Sequence, residues 1–441
     1  MIEIESLWTK ETKALRFKAL EGDVKTDVLI IGGGISGILC AYSFTQAGVD
    51  CVLLEAERIC GKTTKNTTAK ITALHGAIYN GIIKRYGLDT ARLYYEANQR
   101  AIEKYKHICK SIDCDFEERA AYVYSLSDKR KIEDEAEALL RIGCKAEVSY
   151  NTELPFDVAG AVRIDGQAQF DPLKFLYAVA GGLHVYENTR VIEVRDNIAV
   201  TDKGRVSAKR IIVATHFPFI NKHGAYFLKL YQHRSYVLAL KNAKRINGMY
   251  VDENEKGFSF RQSGDLLLLG GGSHRTGKSG GSYNELYAFA KEYYPNAKEV
   301  CRWATQDCMS LDNIPYIGLY SKATPSLYVA SGFNKWGMTS AMLASDILCD
   351  MILGKKNEAE EVFSPQRSIL HPKLLINSAE SVLGLITPTV PRCPHLGCAL
   401  KYNRAEHSWD CPCHGSRFSE DGRLIDNPAT EDKKAMHLKK K

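Results

Sequence analysis

The chain has 441 residues, of which 45% are hydrophobic, and this length suits two or three domains with ordinary cores. It carries 59 basic against 52 acidic residues, a formal net charge of +7, but no basic stripe interleaved with aromatic residues, which argues against nucleic-acid binding. The acidic N-terminus shows no targeting segment, and no apolar run reaches the ~18 residues of a membrane span. We therefore expect a cytoplasmic protein without a membrane span, whose five lysines between 433 and 441 are solvated.

The cysteines fall into two groups. Nine of the 13 are scattered from Cys40 to Cys349 without a pairing pattern, which predicts reduced, mostly buried thiols. The other four crowd into the short stretch from Cys393 to Cys413 and need a separate explanation.

The N-terminal part of the chain, as far as Glu55, predicts one βαβ unit. An apolar run, Val28–Ile31, precedes the glycine-rich turn Gly32–Gly37, and a helix-like stretch follows as far as Gly48. A second apolar run, Cys51–Leu54, then ends at Glu55.

Three glycines of the turn have the spacing G-x-G-x-x-G. Gly32 makes the tight turn, Gly34 lets the backbone approach a pyrophosphate, and Gly37 lets the helix pack close to the strand. Glu55 stands where a carboxylate can bind ribose hydroxyls. The alternative is a glycine-rich turn without a ligand, and the motif itself does not choose between FAD and NAD.

The rest of the chain indicates mixed α and β structure. Helices are predicted over 88–110, 128–142 and 338–353, strands over 122–126, 185–194, 211–215, 236–240 and 266–269, and a hairpin around 202–204. The charged, proline-punctuated stretch 354–372 predicts a domain boundary.

Three later segments give the glycine-rich turn a specific context. They are the hydroxyl-rich Gly61–Lys70, the strand Ala208–Thr215 with its Ala-Thr ending, and the strand, turn and helix start Leu327–Met338. Together with the turn they resemble the FAD-dependent oxidoreductases that include D-amino-acid oxidase, glycine oxidase and sarcosine oxidase. In the last segment, backbone N–H groups at a helix start can stabilise negative charge on a reduced flavin.

This resemblance covers residues 20–365 and implies an α/β FAD-binding Rossmann-like domain with an inserted α+β substrate domain. The FAD-binding pieces are expected at 20–85, 150–220 and 300–365, and the substrate-domain pieces at 86–149 and 221–299. The residues that it implies for FAD binding are Gly32, Gly34, Ile35, Ser36, Gly37, Glu55, Thr64, Thr67, Thr68, Val191, Ala214, Gly332, Gly337 and Met338.

Candidates on the substrate side rest on weaker signals. Lys70 matches the family position for a basic residue beside the flavin, and His274 follows a predicted strand, so these two are the candidate catalytic residues. Arg261, Lys335 and Trp336 are further candidates. Hydride transfer to flavin depends mainly on positioning and on cations for a carboxylate, so a dedicated catalytic base is not required. For each of the five residues the alternative is a structural role, as an exposed cation, a satisfied histidine or a packed indole.

The C-terminal cysteines and histidines lie in two short loops, Cys393–Cys398 and Cys411–Ser416, with the segment 399–410 between them. Each loop carries a thiolate and an imidazole on a tight turn, so the two can hold one cofactor between them. Ligand types and flanking residues resemble the Rieske motif, in which two thiolates bind one iron and two histidines the other. A structural zinc site with the same donors is the alternative.

The Rieske resemblance implies specific roles for six residues. The [2Fe-2S] ligands are then Cys393, His395, Cys411 and His414, and a disulfide joins Cys398 to Cys413.

The Rieske module departs from its family in length. A complete domain has several strands before its first ligand loop, whereas only a short stretch separates residues 382–385 from Cys393. We therefore expect a linker or helix over 366–386 and a truncated, small all-β module over 387–441. By the same resemblance the loop edges near His395 and His414 are expected to be exposed, as the point where electrons enter or leave.

Flavin and cluster together imply an FAD-dependent oxidoreductase. We expect it to oxidise a small amine or amino acid and to pass electrons through the cluster to an unidentified one-electron redox partner. Electron flow in the reverse direction fits the residues equally well. The alternatives are an electron-transfer or redox-sensing protein without turnover, and a flavin enzyme with a structural zinc tail.

Overall fold

A computed structural model describes residues 3–388 and 391–433 of the chain. Of the five C-terminal lysines, only Lys433 belongs to these residues, and the other four lie outside them. Two large sheets and one small sheet form the framework of the fold. Across the two described stretches, no helix combines the length and the apolar character that crossing a membrane requires.

The strands, in chain order, are β1 (Glu3–Ile4), β2 (Val24–Ile31), β3 (Cys51–Leu54), β4 (Lys70–Ile71), β5 (Glu117–Ser125), β6 (Ala146–Ser149), β7 (Gly160–Gln169), β8 (Val185–Tyr186), β9 (Val191–Arg195), β10 (Ile198–Thr201), β11 (Arg205–Val213), β12 (Leu230–Lys241), β13 (Met249–Asp252), β14 (Ser259–Ser263), β15 (Leu266–Arg275), β16 (Lys298–Ser310), β17 (Tyr316–Leu319), β18 (Leu327–Ser331), β19 (Lys401–Asn403), β20 (Ser408–Asp410), β21 (Arg417–Ser419) and β22 (Leu424–Asp426).

The helices are α1 (Leu7–Glu11), α2 (Ile35–Gln46), α3 (Tyr79–Tyr86), α4 (Leu88–Cys109), α5 (Lys129–Arg141), α6 (Pro172–Ala180), α7 (Tyr226–Lys229), α8 (Tyr283–Tyr293), α9 (Gly337–Ile352), α10 (Glu360–Phe363) and α11 (Pro372–Ile386). A short 3-10 helix covers Thr63–Asn66.

The eight-stranded sheet contains the predicted βαβ unit. Its order is β17-β18-β11-β2-β3-β8, with β10 beside β11 and β9 beside β10. β2 pairs in parallel with both β3 and β11, and Val28–Ile31 is buried, as expected for a strand covered on both faces. α2 packs against α9, where the hydroxyl oxygens of Ser43 and Ser345 lie 3.1 Å apart. The unit therefore forms as its sequence predicts.

The ten-stranded sheet follows the order β1-β16-β12-β15-β14-β13-β5-β7-β4, with β6 beside β7. β12 and β16 are its longest strands and pair antiparallel along their whole length. Trp303 in β16 donates a hydrogen bond of 2.9 Å to the carbonyl oxygen of Asn66 in the 3-10 helix. This sheet therefore reaches the hydroxyl-rich segment that the sequence assigns to the cofactor.

Two predicted strands need correction. The strand predicted over 185–194 is two strands, since β8 pairs with β3 whereas β9 pairs with β10. Between them Glu187 is fully buried and accepts hydrogen bonds from the backbone N–H groups of Phe17 and Ile59, at 3.1 and 2.9 Å. The strand predicted over 236–240 is the second half of the longer β12, whose first half buries the polar residues Gln232 and Arg234.

The small antiparallel sheet, β19-β20-β21-β22, carries the two cysteine-histidine loops. Arg417 lies at its centre, buried, with carboxylates of Glu406, Asp410 and Asp426 each 3.0 Å from its guanidinium. α11 precedes this sheet and occupies the interval that the sequence assigns to a linker or helix. Burial of Arg417 with three partners makes this ion cluster the polar centre of the module.

Candidate functional site

The glycine-rich turn between β2 and α2 has the geometry that its spacing requires. Gly32 has φ +110°, and a Cβ there would lie 2.6 Å from the carbonyl oxygen of Ala214. A Cβ on Gly37 would lie 1.8 Å from the carbonyl oxygen of Gly32, so α2 can approach the turn only without a side chain at this position. Gly34 meets only the hydroxyl of Thr64, at 3.2 Å. Two glycines are therefore needed for packing, and Gly34 is open towards a ligand.

Glu55 follows β3 and is turned towards the same loop. Its carboxylate accepts hydrogen bonds from the backbone N–H of Gly33 at 2.7 Å and of Glu57 at 2.9 Å. Burial raises the pKa of Glu55, and these two N–H donors oppose the rise. The carboxylate is thus fixed beside the turn, while its predicted role in binding ribose remains a prediction.

One cavity of about 610 Å³ collects nearly all of the residues predicted to bind FAD. This volume lies within the usual range of pockets for small molecules and cofactors. The predicted residues in its wall are Gly32, Gly34, Ile35, Ser36, Glu55, Thr64, Thr67, Thr68, Val191, Ala214, Gly332, Gly337 and Met338. Gly37 does not line the cavity, which agrees with its packing role.

The donors around this cavity fit an anionic dinucleotide. α2 begins at Ile35 and α9 at Gly337, so the N-terminal ends of both helices, where N–H groups lack intrahelical partners, lie at the cavity; that of Ile35 is bonded to Thr64 Oγ1. The hydroxyl of Ser36 is buried in the wall and has no hydrogen-bond partner among the residues that the structure describes. A phosphate group supplies the acceptor that these donors lack.

Lys70 lines the cavity beside this hydroxyl-rich segment. It is buried, its Nζ donates to the hydroxyl of Thr68 at 3.2 Å, and burial together with the charge of Arg261 lowers the pKa of Lys70 to about 7. A lysine with this pKa can change its protonation state near neutral pH. The structure therefore puts the first candidate catalytic residue at the cavity.

His274 and Arg261 do not line the cavity. The ring of His274 stacks on Tyr236 with centroids 5.8 Å apart. The guanidinium of Arg261 is buried and donates to four backbone carbonyl groups, those of Thr68, Ala69, Phe170 and Gln262. The contact of His274 fits its structural alternative, whereas Arg261 has a structural role as a buried cation and is not the exposed cation that its alternative expected.

Lys335 and Trp336 do line the cavity, at the turn between β18 and α9. Asn334 and Lys335 have φ of +52° and +72°, an unusual left-handed pair that often marks a functional turn. Lys335 Nζ donates to the hydroxyl of Ser273 at 3.0 Å; burial lowers the pKa of Lys335, and the charge of Asp307 opposes this shift.

Titratable residues that the sequence analysis did not single out share this wall, and His75, His216 and Asp307 are among them. The ring of His75 stacks on Trp336 at 4.8 Å, and His216 directly follows Thr215, the last residue of the family-like strand. Extending that segment by one residue is the signal that could have found His216.

The cluster loops form two similar tight turns. The backbone N–H of Gly397 donates to the carbonyl oxygen of Cys393 at 3.0 Å, and that of Gly415 donates to the carbonyl oxygen of Cys411 at 2.9 Å. The two turns bring the rings of His395 and His414 to a centroid separation of 5.0 Å.

The predicted ligand atoms fit a shared metal centre. His395 Nε2 lies in hydrogen-bond contact with Asn221 Oδ1, at 2.9 Å. The Nδ1 atoms of His395 and His414 are both buried and have no hydrogen-bond partner among the described residues. Burial lowers the pKa of His395 to about 4 and that of His414 to about 3, so both imidazoles are neutral and able to bind a metal. A histidine that binds a metal through one ring nitrogen typically has an oxygen acceptor on the other, as Asn221 offers His395.

Cys398 and Cys413 form a disulfide with a Cα–Cα distance of 6.6 Å. The sulfur atoms of Cys398, Cys411 and Cys413 lie within 4.8 Å of one another. Because two of these three sulfurs are bonded to each other, they do not make a ligand set on their own. A Cβ on Gly384 would lie 2.5 Å from Cys413 Sγ, so α11 packs directly on the disulfide.

The histidine side of the module faces the eight-stranded sheet, which corrects the expectation that both edges are exposed. His414 is buried, and its ring centroid lies 6.0 Å from Phe217 and 6.3 Å from Phe227. His395 is half-buried and lies 6.4 Å from the same Phe217. Phe217 therefore contacts the rings of both predicted histidine ligands.

The module also forms part of the large cavity. Its segment 424–430 contributes six residues to the wall. Asn427 Nδ2 donates to the carbonyl oxygens of Thr215 and Phe217, at 2.6 and 2.7 Å, and Lys62 Nζ donates to the carbonyl of Ile425 at 2.8 Å. The candidate cofactor cavity is therefore built from both parts of the chain.

Two family models match the chain. The model for FAD dependent oxidoreductases matches residues 27–351, and the model for the Rieske [2Fe-2S] domain matches residues 365–438. The Rieske match favours the iron–sulfur cluster over the structural zinc alternative.

Known proteins resemble the chain in both parts. The Bacillus subtilis (strain 168) protein YhfW, whose name describes it as a Rieske 2Fe-2S iron-sulfur protein, is 34% identical over 98% of this chain and 98% of its own length. Gamma-glutamylputrescine oxidoreductase of Escherichia coli (strain K12) is 26% identical over 77% of this chain and 86% of its own. The crystal structure of glycine oxidase from Geobacillus kaustophilus has a TM-score of 0.65 at 19% identity and covers 78% of this chain and 99% of that one.

Proposed function

Because the chain belongs to the FAD dependent oxidoreductase family and carries a Rieske [2Fe-2S] domain, we propose that it oxidises a small amine or amino acid and exchanges the electrons between its two cofactors. The protein is an FAD-dependent oxidoreductase of the amine and amino-acid oxidase type. When bound, FAD takes up two electrons from a substrate, and a Rieske cluster carries one electron at a time. The direction of flow and the one-electron partner belong to the proposal.

The observation that carries the electron exchange is the position of Phe217. Its ring contacts both His395 and His414, and its neighbour in the chain, His216, lines the cavity. One residue step therefore separates the cavity wall from the predicted ligands of the histidine-bound iron. Phe217 itself is fully buried between them.

The charges at the cavity support a zwitterionic or cationic substrate. Lys70 and Lys335 provide cations for a carboxylate, and Asp307 provides an anion for an amine. Burial raises the pKa of Asp307, and the charge of Lys335 opposes the rise. The relative named for gamma-glutamylputrescine acts on an amine by its name, which fits this class.

The assignment of FAD and cluster residues remains part of the proposal. The helix starts at Ile35 and Gly337 and the hydroxyl of Ser36 are the groups that we expect to hold FAD. Cys393, His395, Cys411 and His414 are the expected cluster ligands. Their imidazoles and thiols are held by two turns of the same geometry.

The test is anaerobic photoreduction of the flavin followed by EPR detection of the reduced cluster. Transfer within one chain predicts a rate that does not change on dilution, because both cofactors are fixed in one molecule. A rate proportional to protein concentration, or a cluster that stays oxidised, would reject the electron exchange. A panel of amines and amino acids, with a dye as electron acceptor, tests the substrate class, and a flavin that none of them reduces would favour the redox-sensing alternative.

A further inference from the structure

One residue of α11, Lys373, lies in the wall of the large cavity. The helix is outside the stretch 27–351 that matches the FAD dependent oxidoreductase model and inside the stretch that matches the Rieske model. Lys373 Nζ donates to the hydroxyl of Tyr231 at 3.3 Å and to Asn313 Oδ1 at 3.5 Å, and Asn313 lines the cavity as well. The C-terminal part of the chain therefore adds a positive charge to the cavity in which we expect the substrate to bind.

Arg275 and Lys335 add further positive charge near Lys373. The guanidinium carbon of Arg275 lies 5.2 Å from the centre of the Tyr231 ring, and Lys373 Nζ lies 5.8 Å from the same centre. Lys335 is itself in the cavity wall. His233 is paired with Arg275 across β12 and β15. Burial lowers the pKa of His233 to about 2, and the charges of the three cations add to this shift, so all three act on one place.

This group of cations lacks carboxylate partners. The hydrogen bonds of its members go to neutral oxygens of hydroxyl, amide and carbonyl groups, and none of the three forms an ion pair within the described residues. Glu255 lies 3.3 Å from Nδ1 of His233 instead. Glu380 of α11 pairs with Lys278 at 2.5 Å. Nη2 of Arg275 is buried and has no hydrogen-bond partner in the described part of the chain. Charges that are taken out of water normally have a partner, so the group favours an anionic ligand.

The position of the cations indicates a carboxylate of the substrate rather than a phosphate of the cofactor. The donors that we expect to hold the FAD phosphates lie at the glycine-rich turn, which follows β2 of the eight-stranded sheet. Tyr231 and Arg275 belong to β12 and β15, which are neighbours in the ten-stranded sheet. Lysine forms strong, charge-assisted hydrogen bonds with carboxylates. Asp307, in the same cavity wall, is an anion for the amine of such a substrate.

We propose that Lys335 and Lys373 bind the carboxylate of the substrate, and that Lys373 determines specificity for amines that carry one. Arg275 does not line the cavity and contributes only its charge. The proposal rests on the function proposed above and narrows its substrate class. Since Lys373 belongs to α11, the part of the chain that matches the Rieske model completes the substrate site.

The test compares butanoate with butanamide, two probes of similar shape and different charge, by calorimetric titration of the full-length holoprotein. Butanoate should bind and butanamide should not, because only butanoate is an anion. Lys373→Met should weaken the binding of butanoate about tenfold to a hundredfold, the usual loss for one charge-assisted hydrogen bond. Lys373→Arg should keep most of the affinity, because it retains the charge.

Lys278→Met is the matched control. Lys278 also contacts α11, through its ion pair with Glu380, but it does not line the cavity, so its loss should leave the affinity for butanoate unchanged. FAD and iron contents report that each variant is folded. With amino acids that the enzyme oxidises, Lys373→Met should raise KM and leave kcat nearly unchanged, and amines without a carboxylate should show neither change.

Three results would overturn the proposal: equal binding of the two probes, wild-type affinity in Lys373→Met, and a loss in Lys278→Met as large as that in Lys373→Met. The titration requires no turnover, so its outcome is separate from that of the proposed function. A protein that binds butanoate through Lys373 but oxidises no amine would contradict the proposed function alone. A protein that oxidises amines but does not bind butanoate would contradict this inference alone.

Discussion

Asn427 tests whether the Rieske module closes the candidate FAD cavity. Its side-chain amide donates two hydrogen bonds, to the carbonyls of Thr215 and Phe217, and thereby fastens segment 424–430 to the cavity wall. A hydrogen bond contributes about 1 kcal/mol net, so Asn427→Ala removes about 2 kcal/mol of this attachment. Since every ~1.4 kcal/mol is a factor of ten, FAD should leave the variant up to about 30-fold faster if it leaves through this segment.

The assay is the fluorescence of FAD released after dilution, with iron measured on the same samples. Asn403→Ala is the control, because Asn403 donates to Glu406 and Asp410 of its own module, at 3.2 and 3.1 Å, and does not itself line the cavity. Equal release rates in the two variants, at unchanged iron content, would refute the idea that the module retains the flavin.

Three further changes test other parts of the molecule. Gly37→Ala should lower the melting temperature and the FAD content together, because the new Cβ overlaps a backbone carbonyl. Gly34→Ala should lose FAD but have the melting temperature of the wild-type apoprotein. Identical melting temperatures of the two variants would contradict this expectation. Cys411→Ser should remove iron and the EPR signal while flavin absorbance persists, and zinc in place of iron in the anaerobic wild-type protein would defeat the cluster assignment. Asp312→Asn should cost about 3–5 kcal/mol of unfolding free energy in urea titrations, because it removes the carboxylate partner of Arg367, whose side chain is only 10% exposed. Burial raises the pKa of Asp312, but Arg367 lowers it below 3.8 overall. The difference in unfolding free energy between wild type and variant should therefore persist above that pH and become smaller below it. A difference that does not change with pH would argue against the ion pair.

Local signals account for what the sequence predicted well. β2, α2 and β3 are indicated by an apolar strand, three spaced glycines and a second apolar strand, all ahead of Glu55. The predicted cluster loops likewise depend on residues close in sequence, and the disulfide that the resemblance implied is confirmed.

Long-range contacts account for what the sequence did not reveal. The first half of β12 was missed because Gln232, His233 and Arg234 are polar, yet Gln232 and Arg234 are buried where the Rieske module docks, with Arg234 bonded to Glu406. Polar residues that are buried against a partner domain follow no apolar alternation, so the period-two signal of a strand is lost. The sequence also shows no sign that segment 424–430 lines the cavity, because only the docking of the module brings this segment there.

The fit at Gly415 connects one ligand loop to the docking of the module. A Cβ at this position would lie 2.3 Å from the side chain of Gln232, and the carbonyl of Gly415 accepts a hydrogen bond of 2.9 Å from Gln306. The side chains of Gln232 and Gln306, from the neighbouring strands β12 and β16, thus pack against one ligand loop. Any larger residue at position 415 would have to displace Gln232, so the identity of this residue in the ligand loop and the docking of the module on the oxidoreductase depend on the same contact.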